Sequence, residues 1–302
     1  MKRIAEAATG EVSRGTMSAV ISVLCLSLTL GCFVIPSADT PLGKLVSPGV
    51  ERVAEPLKPL VIMLPGMGDR MGDFAEAGFI DPTVSRDFDV MAVDAHFGYY
   101  RERNLVPRLH QDIIAPARAA GYQQIWLLGI SMGGFGSLLY ASQYPDEIAG
   151  VILLSPFLGN PRLVREIEEA GGLRAWENGA AEPEAEPDEE VDQKADQEFD
   201  QHELDLWHWL GRQTKSASGT SVILGFGRGE RMARAYGPLL QVLEPCRVYV
   251  REGGHKWSTW KPLWARISGD LEFSSVPDSP SRSCAEGARS GYTGLDNQKS
   301  HP

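Results

Sequence analysis

A serine flanked by two glycines is the part of this sequence best suited to nucleophilic chemistry. Ser131 lies at the centre of a Gly-x-Ser-x-Gly motif at 129–133. An apolar run at 124–128 precedes the motif, and a helical pattern at 135–141 follows it. This order predicts a nucleophile elbow, in which a strained turn lifts the hydroxyl clear of the sheet. The motif alone also fits a glycine-rich turn in which the serine is merely tolerated.

A carboxylate and a histidine follow Ser131 in the chain, each on a loop after a predicted strand. His255 comes directly after two glycines and the short strand at 247–250. An imidazole there could take the serine proton as general base and return it to the leaving group as general acid. Glu230 is the acidic residue of the glycine-rich loop 225–231. Its carboxylate could accept a hydrogen bond from His255 and fix the tautomer of the ring.

Other residues compete for these two roles. His96 follows the predicted strand at 90–93 and could line the mouth of a pocket, whereas the remaining histidines fall on helical, acidic or terminal stretches. Glu230 also fits an ordinary acidic residue at a helix N-terminus, where it would favour the helix dipole. If Glu230 is not the acid, Asp94 and Asp69 are the next carboxylates to test.

Two backbone amides are candidates to hold the negative charge that develops on a substrate oxygen. A predicted first strand ends in the glycine-rich turn 65–69, and the N–H of Met67 in that turn could point into the site. Beside the N–H of Met132, it would form an oxyanion hole. The methionine side chains are incidental, because the backbone supplies both donors. The alternative is a plain Pro-Gly turn between strand and helix.

The pattern of apolar residues predicts an α/β fold. Strands are predicted at 59–65, 88–93, 123–129, 148–155, 220–226 and 246–250. Helical patterns lie between or after them, near 104–120, 133–144, 230–243 and 257–271. This alternation favours a mostly parallel sheet with helices on both faces. Functional loops of such sheets lie at the carboxyl ends of the strands, where all three candidate residues fall.

Together these motifs resemble bacterial α/β-hydrolase-fold serine hydrolases of the esterase and lipase type. The resemblance covers about residues 58–272 and rests on Leu-Pro-Gly-x-Gly-Asp at 64–69, Gly-Ile-Ser-Met-Gly-Gly at 129–134 and Gly-Gly-His-Lys-Trp at 253–257. It implies the chain order serine, acid, histidine. It also implies that the acid follows the penultimate strand, a position that falls on Glu230, where aspartate is commoner.

The resemblance implies hydrolysis of an acyl bond in a small molecule, without a metal or organic cofactor. A carboxylic-ester hydrolase is the leading hypothesis. A thioesterase, amidase or acyltransferase would use the same residues, and a non-catalytic ligand-binding lipoprotein of this fold is the alternative from another class. Basic and aromatic residues do not cluster as in a nucleic-acid binder, and no Cys/His cluster has the spacing of zinc ligands.

An acidic segment carries the net charge of the chain. The net charge is −11, and residues 177–205 hold thirteen Asp or Glu against one Lys. Because α/β-hydrolases commonly carry an insertion here, we interpret residues 160–215 as a lid. Its 178–198 part has the composition of a solvated surface excursion. The helix that contains Trp207 and Trp209 is expected to pack against the core or to roof the pocket.

The two ends of the chain lack the alternating strand and helix patterns from which the fold is predicted. Residues 1–35 contain a basic start and a short apolar run that ends at Cys32, which is typical of a signal or lipoprotein-type segment. This pattern predicts that the protein is exported, and that it is either attached to the cell envelope through a lipidated Cys32 or secreted. The alternatives are an uncleaved membrane anchor and a true start at Met17. Residues 36–57 are interpreted as a linker and 273–302 as a disordered tail.

Cysteine usage leaves one question open. Two of the four cysteines fall in the N-terminal segment, which leaves Cys246 and Cys284. They could pair in an oxidising compartment, or Cys284 could remain a free thiol in the tail.

Overall fold

The computed structural model describes residues 36–47, 58–81, 87–179, 193–213 and 220–271. The predicted signal segment and tail therefore lie outside the described residues, and so do residues 180–192 of the acidic stretch. The chain divides into two units, Met1–Pro36 and Ser37–Pro302, and every element below belongs to the second. Among the helices in the described ranges, none combines the length and apolarity needed to cross a bilayer.

Seven strands form one sheet. They are β1 Lys44–Val46, β2 Leu60–Leu64, β3 Asp89–Val93, β4 Ile125–Ile130, β5 Gly150–Leu154, β6 Ser221–Gly227 and β7 Val248–Arg251. Their order across the sheet is β1-β3-β2-β4-β5-β6-β7. β1 pairs with β3 in antiparallel orientation, and every other neighbouring pair is parallel. The predicted α/β fold with a mostly parallel sheet is confirmed.

The edge strand β1 lies within the stretch 36–57, which the sequence analysis interprets as a linker. The side chains of Ala38 and Leu42, just before this strand, are buried in the core. A strand of three residues is too short to show the alternation by which strands are recognised in sequence. The linker interpretation therefore needs correction, because this part of 36–57 is built into the sheet.

Ten α-helices are described. They are α1 Met71–Glu76, α2 Phe97–Arg101, α3 Leu105–Leu109, α4 Ala115–Ala119, α5 Met132–Gln143, α6 Pro161–Glu169, α7 Leu173–Gly179, α8 Gln193–Gln213, α9 Gly237–Leu240 and α10 Trp257–Asp270. Two predicted helices are interrupted. A π-helical turn, His110–Ile114, separates α3 from α4, just before Pro116, which has no N–H to donate. The stretch predicted at 230–243 begins as a 3-10 helix, Arg231–Tyr236.

The sheet buries apolar side chains on both faces. In β2, Leu60, Ile62 and Leu64 belong to one core cluster, whereas Val61 and Met63 belong to the other. Because successive side chains point to opposite faces, a strand that is covered on both sides has no polar positions. This explains the continuous apolar runs, and it leaves the loops at the strand ends to carry the polar chemistry.

The insertion between β5 and β6 contributes to the core. Four residues of α8, namely Leu206, Trp207, Trp209 and Leu210, are almost completely buried, and α8 packs against α5 and α7. Trp176 of α7 belongs to the same cluster. Of the two expectations for this helix, the structure shows packing against the core.

Candidate active site

The backbone around Ser131 has the geometry of a sharp elbow between β4 and α5. Ser131 has φ 51° and ψ −114°, a conformation that side-chain-bearing residues rarely adopt. A Cβ atom on Gly129 would lie 2.2 Å from the carbonyl oxygen of Gly133. A Cβ atom on Gly133 would lie 2.1 Å from the carbonyl oxygen of Leu64. The flanking glycines are therefore required by the close passage of strand and helix.

Hydrogen bonds from the neighbouring strand hold this strained turn. The Ser131 N–H donates to the carbonyl of Leu154, 3.0 Å away, at the end of β5. The Ser131 carbonyl accepts from the N–H groups of Phe157 and Gly134, each at 2.9 Å. Since strained backbone persists only where the surroundings over-determine it, these contacts hold the backbone of Ser131 in its strained conformation.

Glu230 and His255 meet across the loops that follow β6 and β7. The distance from His255 Nδ1 to Glu230 Oε2 is 3.2 Å, which is at the long end of a hydrogen bond. The Glu230 side chain is completely buried, whereas that of His255 is 35% exposed. When Nδ1 donates to the carboxylate, Nε2 carries the free lone pair, which is the arrangement that a general base requires.

Two backbone hydrogen bonds join these loops. The Arg228 N–H donates to the Arg251 carbonyl at 2.8 Å, and the Gly229 N–H donates to the Gly253 carbonyl at 2.9 Å. The Arg228 guanidinium faces Glu252 at 3.0 Å, so it does not take the place of His255 beside Glu230.

One cavity brings the histidine and the serine together. Its volume is about 300 Å³, and it is lined by Gly66, Met67, Asp69, Ser131, His255, Lys256, Trp257 and Trp260. This lining includes no residue of the described parts of the insertion, 160–179 and 193–213. His255 and Ser131 therefore open onto the same space, although 124 positions separate them.

Trp260 forms the wall behind His255. The two rings meet edge to face, with centroids 5.0 Å apart and an interplanar angle of 89°. Trp260 Nε1 donates to the buried hydroxyl of Ser155 at 2.8 Å. Because the indole is fixed by this bond, it limits the rotation of the imidazole. Trp260 could not be predicted as a site residue from the sequence, because its only signal is its spacing of one helical turn from Trp257.

Asp94 and Asp69, the alternative candidates for the acid, have partners other than His255. Asp94 is bound by Arg70, whose guanidinium lowers the pKa of Asp94 below its usual value. Asp69 lines the cavity, and its Oδ1 accepts from Trp257 Nε1 at 3.3 Å. Burial raises the pKa of Asp69, while the Trp257 hydrogen bond acts in the opposite direction. His96, the other candidate histidine, is the N-cap of α2 and is not among the residues that line the cavity.

The two candidate oxyanion donors lie beside the serine. Met67 lines the cavity, and its neighbour Gly66 is so close that a Cβ on Gly66 would lie 3.5 Å from Ser131 Cβ. Met132 is the first residue of α5, directly after the elbow. In the described part of the chain, the structure gives neither the Met67 nor the Met132 N–H a hydrogen-bond acceptor.

The structure also bears on possible metal ligands and on the pairing of the cysteines. The described residues contain no group of three or more His, Cys, Asp or Glu placed to hold a metal ion. Cys246 is disulfide-bonded, and Cys284, its candidate partner, lies outside the described residues.

Comparisons with known proteins agree with this architecture. A family model for the alpha/beta hydrolase fold matches residues 59–191. Est1E from Butyrivibrio proteoclasticus with ferulic acid bound is 17% identical, with a TM-score of 0.51 over 78% of this chain and 95% of that one. A second Est1E structure gives 16% identity and a TM-score of 0.50 over 75% and 90%.

A more distant structural match is the S-formylglutathione hydrolase FrmB from Staphylococcus aureus. It is 13% identical, with a TM-score of 0.46 over 78% of this chain and 98% of that one. No curated protein matches the sequence. The sheet order, the elbow between β4 and α5 and the matching family model together show that the chain has an α/β-hydrolase fold.

Proposed function

We propose that this protein is a serine hydrolase that cleaves carboxylic ester bonds through an acyl-enzyme intermediate. One observation carries the proposal. The contact between His255 and the buried Glu230 opens onto the cavity where the elbow presents Ser131. A nucleophile, a base and a group that orients the base are thus available in one place, which is the arrangement of a serine hydrolase.

In the proposed reaction, Ser131 Oγ attacks the ester carbonyl carbon while His255 Nε2 takes the hydroxyl proton. The N–H groups of Met67 and Met132 hold the oxyanion of the tetrahedral intermediate, and each such donor contributes about 3 kcal/mol to transition-state stabilisation. The intermediate collapses, the C–O bond to the alcohol breaks, and His255 protonates the departing oxygen. A water molecule, deprotonated by His255, then attacks the acyl-enzyme and releases the acid and Ser131.

Glu230 orients His255 and stabilises the imidazolium that forms in each step. Its carboxylate is buried, so its interaction with the ring is little screened by water. Glutamate replaces the commoner aspartate of this fold.

The cavity indicates a small acyl substrate. Its volume of about 300 Å³ lies at the lower end of the range of small-molecule sites. A thioester or an amide presents the same carbonyl to the same residues, so substrate comparison must separate these bonds.

Labelling with a fluorophosphonate probe tests the proposal. The wild-type protein is expected to label, and Ser131→Ala is expected to abolish the label. Ser142→Ala is a matched control, because this serine lies in α5 and its hydroxyl bonds to the carbonyl of Leu139. A folded wild-type protein that never labels would favour the non-catalytic ligand-binding alternative.

A substrate panel then identifies the bond and the size of the acyl group. p-Nitrophenyl esters of graded chain length are compared with a thioester and an anilide of the same acyl group. We expect turnover to be highest for short acyl esters. Faster turnover of the thioester or the anilide would reassign the protein as a thioesterase or amidase, and preferred transfer to an added alcohol would indicate an acyltransferase.

We also propose that the protein is exported and attached to the cell envelope through a lipidated Cys32. The proposal rests on the basic and apolar pattern of residues 1–35. Labelled fatty acid should be incorporated into the protein in bacterial cells, and Cys32→Ser should abolish this and release the protein from the membrane fraction. Wild-type protein in the culture medium would indicate secretion, and membrane retention of Cys32→Ser would indicate an uncleaved anchor.

A further inference from the structure

The proposed mechanism uses only one of the two carboxylate oxygens of Glu230. Oε2 faces His255, whereas Oε1 is buried and has no partner in standard hydrogen-bond geometry among the described residues. A buried carboxylate oxygen without a donor is unfavourable, because it has lost its water and gained nothing in exchange. A donor near Oε1 would therefore matter both for the charge and for the orientation of Glu230.

The Tyr236 hydroxyl is a second buried polar group in the same region. The Tyr236 side chain is completely buried, and its hydroxyl also lacks a partner in standard geometry within the described ranges. Burial raises the pKa of Tyr236 above its usual value, and the negative charge of Glu230 raises it further. The Tyr236 hydroxyl and Glu230 Oε1 are thus both buried without a partner in standard geometry among the described residues, and the two residues lie at either end of the same short 3-10 helix, Arg231–Tyr236.

The local helix type explains why these two residues share a face. Glu230 is the N-cap of the 3-10 helix Arg231–Tyr236, and the Ala233 N–H donates to the Glu230 carbonyl at 3.2 Å. A 3-10 helix has three residues per turn, so every third side chain points the same way. Glu230, Ala233 and Tyr236 are buried, whereas Arg231 and Arg234 are exposed.

Packing fixes the tyrosine ring near the end of β6. The rings of Phe226 and Tyr236 meet edge to face, with centroids 4.9 Å apart and an interplanar angle of 63°. Phe226 is itself 1% exposed. Since the buried ring cannot turn to solvent, its hydroxyl must find a partner among buried groups, and Glu230 Oε1 is one that lacks a donor among the residues that the structure describes.

We propose that Tyr236 is a positioning residue whose hydroxyl donates to Glu230 Oε1 and so holds Oε2 against His255. This inference rests on the proposed function, because it concerns the acid of the same three residues. It also gives a reason for glutamate at position 230. A carboxylate that must reach His255 on one side and Tyr236 on the other needs the longer side chain, whereas aspartate would be one methylene too short.

The pH dependence of Tyr236→Phe tests this role. The low-pH limb of kcat/KM reports protonation of the catalytic base in the free enzyme. Loss of a donor to the neighbouring carboxylate strengthens the attraction of that carboxylate for the protonated base, so the base keeps its proton to higher pH. We expect the limb to move up by about one pH unit, with kcat/KM reduced about tenfold near neutral pH.

Tyr100→Phe is the matched control. Its hydroxyl is also buried without a partner among the described residues, and burial alone raises its pKa. This variant removes a buried hydroxyl that faces no carboxylate, so its low-pH limb should stay in place. A limb that moves equally in both variants, or in neither, would overturn the proposal for Tyr236.

Two further variants sharpen the test, and the first of them applies even if Tyr236→Phe folds poorly. Incorporation of 3-fluorotyrosine at position 236 makes the hydroxyl a stronger donor, and the limb should then move to lower pH. In a Glu230→Gln background, Tyr236→Phe should no longer reduce kcat, because a positioning residue acts only through its partner. A full reduction there would show that Tyr236 acts on packing alone. Failure of the proposed function is distinguishable, because the wild-type protein would then show no esterase activity to profile.

Discussion

The elbow around Ser131 and the loops around His255 are held in place by different kinds of contact. At the elbow, close backbone passage leaves no room for a Cβ on Gly129 or Gly133. Four backbone hydrogen bonds also hold the N–H and carbonyl of Ser131. The nucleophile is thus fixed by the same packing that joins β4 to α5.

The base is held by polar and aromatic contacts. His255 is 35% exposed, and it has one contact of 3.2 Å with Glu230 and an edge-to-face contact with Trp260. His255 and Glu230 lie on loops beyond the ends of the strands, whereas Trp260 belongs to the buried apolar core. The backbone of the elbow therefore cannot be changed without damage to the fold, whereas the loop that carries the base can be changed while the fold survives.

The largest expected effect is that of a methyl group at the elbow. Gly133→Ala would place a Cβ 2.1 Å from the Leu64 carbonyl oxygen, a backbone atom of a central strand that cannot move aside. We expect the free energy of unfolding to fall by more than about 3 kcal/mol, measured by urea denaturation.

Gly72→Ala is the control for that substitution. Gly72 lies in α1, and a Cβ there would meet no atom within 4 Å. We expect Gly72→Ala to leave stability unchanged or to increase it by up to about 1 kcal/mol. Equal stability of the two variants would contradict the steric account of the elbow.

Next in size is the effect of the Glu230 charge on turnover. Glu230→Gln keeps the shape of the side chain and removes the charge that stabilises the His255 imidazolium. We expect kcat to fall roughly 10²–10⁴-fold while the circular dichroism spectrum stays unchanged. Glu230→Asp keeps the charge but shortens the reach, and it should retain more activity than Glu230→Gln. Unchanged turnover in Glu230→Gln would move the role of the acid to another carboxylate.

A smaller effect on turnover is expected from a substitution in the loop that carries His255. Gly253 has φ 146°, and a Cβ there would lie 2.3 Å from Thr259 Oγ1. Gly253→Ala should lower kcat/KM about tenfold and the free energy of unfolding by about 1–2 kcal/mol. Gly254→Ala, where a Cβ would meet no atom within 4 Å, should change both far less. Similar activity in the two variants would show that the loop conformation does not position the imidazole.

The smallest effect concerns Asp69 at the cavity wall. Because burial raises the pKa of Asp69, the folded state holds this proton more tightly than the unfolded state does. The ionised form therefore reduces stability as the pH rises above the usual value for aspartate. Asp69→Asn should raise Tm slightly at pH 7 and leave it unchanged near pH 3. A Tm difference that is the same at both pH values would exclude this origin.

Much of the fold could be predicted from the sequence, because the pattern of apolar residues is a local property. The six predicted strands correspond to β2–β7, each within a few residues of its observed bounds. The edge strand β1 could not be predicted, since Lys44–Val46 is too short to show a period. The 3-10 helix before α9 was equally hidden, because its three-residue period resembles the spacing of an α-helix over so few turns.

The candidate site was predicted as a set of residues but not as a set of contacts. Ser131, Glu230 and His255 each follow a predicted strand, which places them at one edge of a parallel sheet. The indole of Trp260 and the hydroxyl of Tyr236 have no comparable sequence signal. Their importance follows from what they face, and this depends on how distant segments pack.

By itself, the sequence determined the order of strands and helices and the elbow at Ser131, because steric limits and burial patterns act between near neighbours in the chain. Only the tertiary structure decided which carboxylate meets His255. Glu230 lies 25 residues before His255, and the parallel register of β6 and β7, in which Gly227 pairs with Arg251, brings their loops together. A contact of 3.2 Å between such positions depends on the packing of the whole sheet.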